Sequence, residues 1–262
     1  MEKIKVFLSD PQILFREGMH FTLSGEDDFE VTGEATNNEE AFTFLETNPP
    51  NVAVLNMKDG KLDGPAMTCR INRNLPDISV ILIMDSENEE HIFSALKSGA
   101  SAYLTKSVDP EYLIDIIRAV AQGSKPIVEA LLTQGLASRV LVEFEGLATL
   151  SEELNNLLAH LSPEEAGILS SITAGNDLEQ VATKLEINED TIRRNLRSIL
   201  NKLIANNQSR AVVEATQRSL PSLVSGAVPG VKPSADYVTR DELKEFKDSL
   251  TQRLKSLIGE LD

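Results

Sequence analysis

In the second half of the chain, Arg193, Arg194, Arg197, Asn201 and Lys202 recur at helical spacing, with Asn195 and Ser198 between them. Ile192, Leu196, Ile199, Leu200 and Leu203 take the complementary positions, so the basic residues share the outward face of one amphipathic helix. The chemistry open to such a face is recognition of a nucleic acid. Guanidinium forks can bridge O6 and N7 of guanine, amides and hydroxyls can support them, and cations can meet phosphates. The same residues would also make an ordinary solvated face, so the elements around them decide the reading.

Two short helices must hold that face in place. Ser162, Pro163 and Glu165 spell a capping box with proline at the first helical position, and Ile168, Leu169 and Ile172 run on one side to a stop at Gly175. Asp177 and Gln180 repeat the start signal, and Leu178, Val181, Ala182 and Leu185 form the next buried stripe. The turn Glu186-Ile187-Asn188 is short enough to make consecutive helices cross steeply. Asn188 then caps the third helix, with Glu189 and Asp190 in its first turn, where carboxylates suit the helix dipole. This is helix-turn-helix spacing, and its last helix fits a major groove.

Leu161-Ser162-Pro163 with Glu165, Gly175, the run Thr191 to Leu196, Leu200 and Leu203 together resemble the DNA-binding domain of LuxR/NarL-type transcription regulators, over residues 161–215. The resemblance implies a four-helix domain whose fourth helix, at about residues 209–220, pairs two copies. One departure stands out. The family usually has Lys or Arg early in the second helix, and here Asn176, Asp177 and Glu179 make that turn acidic.

Composition limits the alternatives. A chain of 262 residues is long enough for about two domains. The net charge of −16 is uneven: −10 over residues 1–125, −4 over 126–160, −2 over 161–216 and zero over 217–262. A general polyanion binder is excluded, and DNA binding should depend steeply on dimerisation and salt. The single cysteine, Cys69, rules out an intramolecular disulfide framework, and His20, His91 and His160 stand too far apart for a metal site. No apolar run is long enough to span a bilayer, and Met1-Glu2-Lys3 leads into a strand rather than a signal peptide, so a cytoplasmic protein is expected.

From the start, short Val- and Ile-rich runs alternate with helical patterns. Strands are expected at residues 4–9, 29–35, 52–57, 79–84 and 102–104, with helices at 13–23, 38–46, 65–74, 87–98 and 110–122. Strict alternation of this kind predicts an α/β flavodoxin-like fold with a five-stranded parallel sheet, which binds ligands at the carboxyl ends of its strands. Phe15-Arg16-Glu17-Gly18, Asp63-Gly64, Ser98-Gly99-Ala100 and Tyr103-Leu104-Thr105-Lys106 resemble receiver domains of two-component response regulators, over residues 1–124. That resemblance implies two adjacent acids after the first strand, a phosphoacceptor aspartate on the third, a hydroxyl after the fourth and a lysine after the fifth, around Mg²⁺.

Only part of that set is here. Asp10 is followed by Pro11, the acceptor position is Asn56, the hydroxyl position is Met84, and Lys106 and Tyr103 remain. An amide is a poor nucleophile toward a phosphoryl donor, and one carboxylate gives Mg²⁺ little reason to dehydrate. Asp59 and Asp85 lie close by in sequence but are displaced from the required positions. Lys106 and Asp10 read as a structural ion pair, or, with Asn56, as a fixed hydrogen-bonded set that mimics one signalling state.

The expected organisation is therefore a receiver-like domain (1–124), a helical connector (125–160), an all-α helix-turn-helix domain (161–220), a flexible linker (221–237) and a C-terminal amphipathic helix (238–262). In that last segment Leu243, Phe246, Leu250, Leu254, Leu257 and Leu261 form a stripe, for which self-pairing is the leading explanation and docking onto the chain's own body the plain one. The reading is a sequence-specific, phosphorylation-independent transcription regulator that binds double-stranded DNA as a homodimer. A sensor kinase and RNA polymerase are further candidate partners, and no cofactor, metal or membrane is called for. The rival is a protein-interaction adaptor with little DNA binding; an enzyme is the poorest fit, since no nucleophile with a base, metal cluster or phosphate-cradling glycine loop appears.

Overall fold

The computed structural model describes residues 3–58, 62–147 and 158–224. Five parallel strands, β1 (Ile4–Ser9), β2 (Phe29–Ala35), β3 (Val52–Asn56), β4 (Ser79–Met84) and β5 (Ala102–Thr105), lie in the order β2-β1-β3-β4-β5. Their crossovers are α1 (Ile13–Ser24), α2 (Asn38–Thr47), α3 (Gly64–Asn74) and α4 (Glu89–Ser98), and α5 (Pro110–Ala121) follows β5. Helices on both faces leave the central strands no solvated side, and all five residues of β3 are buried. Register sets the business end: Ser9 pairs with Leu55, Asn56 with Ile83 and Met84 with Thr105, so the carboxyl ends of β1, β3, β4 and β5 finish along one edge.

The helix starts are chemically specified. Asn37, Asp63, Asn88 and Asp109 each accept a backbone N–H of the turn they cap. Asn88 bonds the amides of Glu90 and His91, which is why α4 begins at Glu89 and not at residue 87 as the sequence pattern suggests.

One apolar layer, with Met19, Leu23, Leu113 and Ile117, lies under α1 and α5. The other does not stop at the sheet. It runs from Phe42, Met67, Ile71 and Leu96 through a 3-10 helix (Pro126–Leu132) and α6 (Gln134–Leu147) into α7 (Pro163–Thr173), α8 (Leu178–Leu185) and α9 (Glu189–Val224). Residues 1–215 accordingly form one compact unit. Polar ties reinforce it: Lys97 on α4 and Arg210 on α9 both reach the same Glu143 Oε1 on α6 at 2.8 Å, and Asn207 donates to the Lys97 carbonyl at 3.1 Å. Cys69 is half-buried on α3 beside Asn207, and burial pushes its thiol up, away from reactive thiolate chemistry.

Two expectations change. The third and fourth helices of the DNA-binding domain are one continuous helix, α9, which runs past the anticipated linker start at residue 221 to Val224. No glycine follows Leu203 until Gly226, so the residue that most readily ends a helix in the left-handed region is missing from the run, and Asn206 and Asn207 are held in the helix by bonds to Ala159 and Lys97. The helix anticipated around Ser151 and the C-terminal stripe from Leu243 to Leu261 lie outside the described residues. Among those described, no helix is long and apolar enough to cross a membrane.

Gly99 is required twice over. Its φ of +85° ends α4 in the left-handed region, and a Cβ there would stand 2.6 Å from Asn72 Nδ2 and 3.4 Å from two carbons of Ile204 on α9. Asn72 uses that nitrogen to bond the carbonyls of Ser98 and Gly99. Gly99→Ala should therefore lower stability by about 1–2 kcal/mol from backbone strain alone, read as a lower urea midpoint; an unchanged midpoint would contradict the close packing of α4 on α9.

Candidate functional site

The helix-turn-helix is built as its capping residues dictate. Ser162 and Glu165 close a full capping box on α7, and Asp177 and Gln180 close another on α8. Glu186 ends α8 at φ +55°, a conformation that costs a non-glycine residue energy but lets the chain turn sharply into α9. Ile192, Leu196, Ile199, Leu200 and Leu203 are all 0–1% exposed, which fixes the rotation of α9 about its axis.

The outward side chains of α9 then divide into two sets. Arg194, Arg197 and Asn201 are exposed; Arg194 donates to Thr191 Oγ1 at 2.8 Å, and Arg197 and Asn201 have no side-chain partner among the described residues. Arg193 is half-exposed between Glu189, 3.2 Å away on its own helix, and Glu129 of the 3-10 helix, 3.6 Å away. Asn195 is turned toward α7, donating to Glu164 Oε1 at 3.1 Å and to the Thr191 carbonyl at 3.0 Å. Ser198 and Lys202 point at Glu165: the hydroxyl donates to Oε1 and the ammonium to Oε2, each at 2.7 Å.

Glu165 is the residue that sequence reasoning undervalued. Beyond its cap it is 3% exposed and gathers three donors, the Ser162 N–H, Ser198 and Lys202. Burial alone would raise its carboxyl; the bonds from Lys202, Ser162 and Ser198 together outweigh that and hold it below the ordinary glutamate value. The signal was Ser198 and Lys202 one turn apart, at the i,i+4 spacing that lets two side chains meet one partner. In the acidic first turn of α8, Asn176 bonds Ser171, Asp177 is the cap, and Glu179 is exposed, so no cation stands there.

At the sheet edge, Asp10 is 1% exposed and takes the Gln12 N–H on Oδ1 at 2.7 Å. Lys106 Nζ lies 3.2 Å from that oxygen and 3.0 Å from Oδ2, although Oδ2 receives no well-aligned hydrogen bond. Lys106 also meets Asp85 Oδ1 at 3.2 Å and sits over the Phe15 ring. Asp85, displaced by one residue from the hydroxyl position, thus reaches the pocket from the far side of Lys106; Asp59 lies outside the described residues. Asn56 is 5% exposed and donates Nδ2 to the Lys58 carbonyl at 2.5 Å, while Asn38 Nδ2 donates to the Asn56 backbone carbonyl at 3.3 Å. Met84 is buried in the core, Pro11 is exposed, and Tyr103 is half-buried, its hydroxyl pushed up by burial and then by Glu87 and Tyr112.

These residues do not fit Mg²⁺. The one buried carboxylate is bridged by an ammonium, an amide and a proline stand at the other acidic positions, and no group of three acids, histidines or cysteines that could hold a metal occurs among the described residues.

Residues 6–118 match the response regulator receiver domain, and residues 159–215 match the bacterial regulatory proteins of the luxR family, together well over half of the chain. The chain belongs to the LuxR-type response regulators. It is similar to the uncharacterized transcriptional regulatory protein YxjL of Bacillus subtilis, 28% identical over 84% of this chain and 98% of that one. It is also similar to the transcriptional regulatory protein DegU of Brevibacillus brevis, at 28% over 81% and 93%, and to the nitrate/nitrite response regulator protein NarL of Escherichia coli, at 27% over 84% and 98%. As a LuxR-type response regulator it is a DNA-binding transcription regulator.

In this response regulator the contact between α7 and α9 should be acid-sensitive. Glu165 has a depressed carboxyl in the folded state, so its contribution is present above the unfolded value and disappears as pH falls through the folded one. Glu165→Gln should cost about 2 kcal/mol near neutrality and shrink the stability difference between neutral and acid pH, as followed by urea melts across that range. A variant with the parent's acid sensitivity would show that Glu165 carries no such linkage.

Proposed function

We propose that this LuxR-type regulator reads double-stranded DNA with Arg193, Arg194 and Arg197, supported by Asn201, and that its receiver signals without phosphoryl transfer. The observation that carries the second part is the state of the strand-end pocket. Lys106 is held between Asp10 and Asp85, and the acceptor position is an amide, Asn56, donated to a backbone carbonyl. A phosphoryl group would find neither a nucleophile nor a metal to neutralise its oxygens. Asn195, Ser198 and Lys202 take supporting parts: their bonds to Glu164 and Glu165 set the pose of α9, and phosphate contact by Lys202 would have to compete with a buried carboxylate.

The DNA-reading part rests on three guanidinium groups along one side of a helix whose opposite side is buried. A homodimer is the form in which so acidic a chain would reach useful affinity, since two half-sites double the phosphate contacts. The adaptor reading is favoured by one feature, the acidic first turn of α8 beside the reading helix.

Selection of fragments bound from genomic DNA separates the two readings. On a selected fragment, Arg194→Ala and Arg197→Ala should each cost about 1–3 kcal/mol, relaxing preference at one base pair if the arginine reads a base and weakening all sequences alike if it grips phosphate. Recovery of no enriched fragment would favour the adaptor. For the receiver, intact-mass spectrometry after incubation with acetyl phosphate and Mg²⁺ should show no adduct, and Asn56→Asp alone should restore little. A stoichiometric phosphoryl adduct on the parent chain, mapped to Asp59, Asp63 or Asp85, would overturn signalling without phosphorylation.

A further inference from the structure

Between β5, α5 and the 3-10 helix lies a half-open cavity of about 460 Å³, large enough for a small organic molecule. Leu104, Val108, Ile116 and Ile127 give it apolar walls, and the phenols of Tyr103 and Tyr112 line it as well. Its charge is one-sided: Glu87, Asp109 and Glu129 line it, and no basic side chain does. Asp109 is occupied, its Oδ1 capping α5 through the Glu111 N–H at 2.9 Å. Glu87 has no hydrogen-bond or ion-pair partner among the described residues. Glu129 has one, Arg193 on the DNA-reading helix, at 3.6 Å, with the arginine half-exposed and the glutamate exposed.

We infer that this cavity binds a small organic cation with an aromatic or apolar body, such as an arylalkyl ammonium, and that the ligand acts on DNA binding through Glu129. Two aromatic rings, one unpartnered carboxylate and one held only by a 3.6 Å pair are what an ammonium on an apolar stem requires: the rings offer cation–π attraction, the carboxylates charge-assisted bonds, the walls burial for the stem. The raised Tyr103 hydroxyl, due first to burial and then to Glu87, is consistent with a site that disfavours further negative charge. An exposed pair as long as that of Glu129 and Arg193 contributes little and is readily exchanged. An ammonium drawing on Glu129 therefore removes one of the two carboxylates that flank Arg193 and leaves it with Glu189 of its own helix alone. The coupling clause, unlike the binding clause, rests on the reading of Arg193 as a DNA contact.

The chain supplies its own reporter, since it has three tyrosines and no tryptophan, and two of the tyrosines line the cavity. Phenethylammonium titrated into the full chain should change tyrosine fluorescence saturably and give a calorimetric Kd of about 1 mM or tighter. Glu87→Gln and Tyr112→Ala, both at exposed positions, should each weaken binding at least about fivefold, and phenethyl alcohol, which lacks the charge, should bind correspondingly worse. Absence of saturable binding, equal binding of the alcohol, or indifference to both substitutions overturns the site, and none of these needs DNA. Loss of a dimer on saturation would assign the cavity to a basic side chain of a second copy and equally overturn the small ligand. With binding established, the ammonium should raise affinity for a selected DNA fragment by the same factor by which that fragment raises affinity for the ammonium. Binding without any change in DNA affinity overturns the coupling.

Discussion

The burial of Ile192, Leu196, Ile199, Leu200 and Leu203 along α9 is the constraint on which the rest depends. Side chains of this size contribute about 1.5–3 kcal/mol each when withdrawn from water. Turning the helix by a single residue, about 100°, would trade several of them for arginines that cannot be buried unpaired. The rotational phase of α9 is thus set by apolar contacts, and the identity of the outward residues follows from it. Glu165 adds a second, polar fix. By holding Ser198 and Lys202 on α7 it resists sliding of α9 along its axis, which the apolar stripe alone resists less well.

Much of this was legible in the residues themselves, for local reasons. Caps at Ser162, Asp177 and Asn188, and strands bounded by their flanking helices, depend on neighbours within a few positions, so the pattern predicts them with boundaries close to those observed. What was not legible depends on partners far along the chain. Glu165 looks like a cap until the opposing Ser198 and Lys202 arrive from more than 30 positions away. Asp85 looks misplaced until Lys106 is seen to reach between it and Asp10. The division into third and fourth helices came from family resemblance, and a run without glycine overrode it.

The strand-end pocket illustrates how an electrostatic site can be kept while its chemistry is removed. Asp10 remains buried, and a buried carboxylate without a cation would be costly. Lys106 answers that need, and with Asp85 on its other side the ammonium has a carboxylate on each flank. Around this ion triad the neighbours are satisfied internally: Asn56 by the Lys58 carbonyl, Asn38 by Ser9 and Leu62, Arg16 by Glu34 and the Asp10 carbonyl. Such a pocket is at rest.

Glu143 takes Lys97 from the receiver and Arg210 from the DNA-binding helix on a single oxygen, beside an apolar layer that passes from the sheet to α9 without a break. A receiver and a DNA-binding half joined in this way as one compact unit should melt in a single transition. Damage deep in the receiver, at Leu82 or Ile71 for example, then lowers the stability of the DNA-binding half as well. A cut through α6 would therefore expose apolar surface on both sides, Leu136, Ala137, Val140 and Phe144 among it.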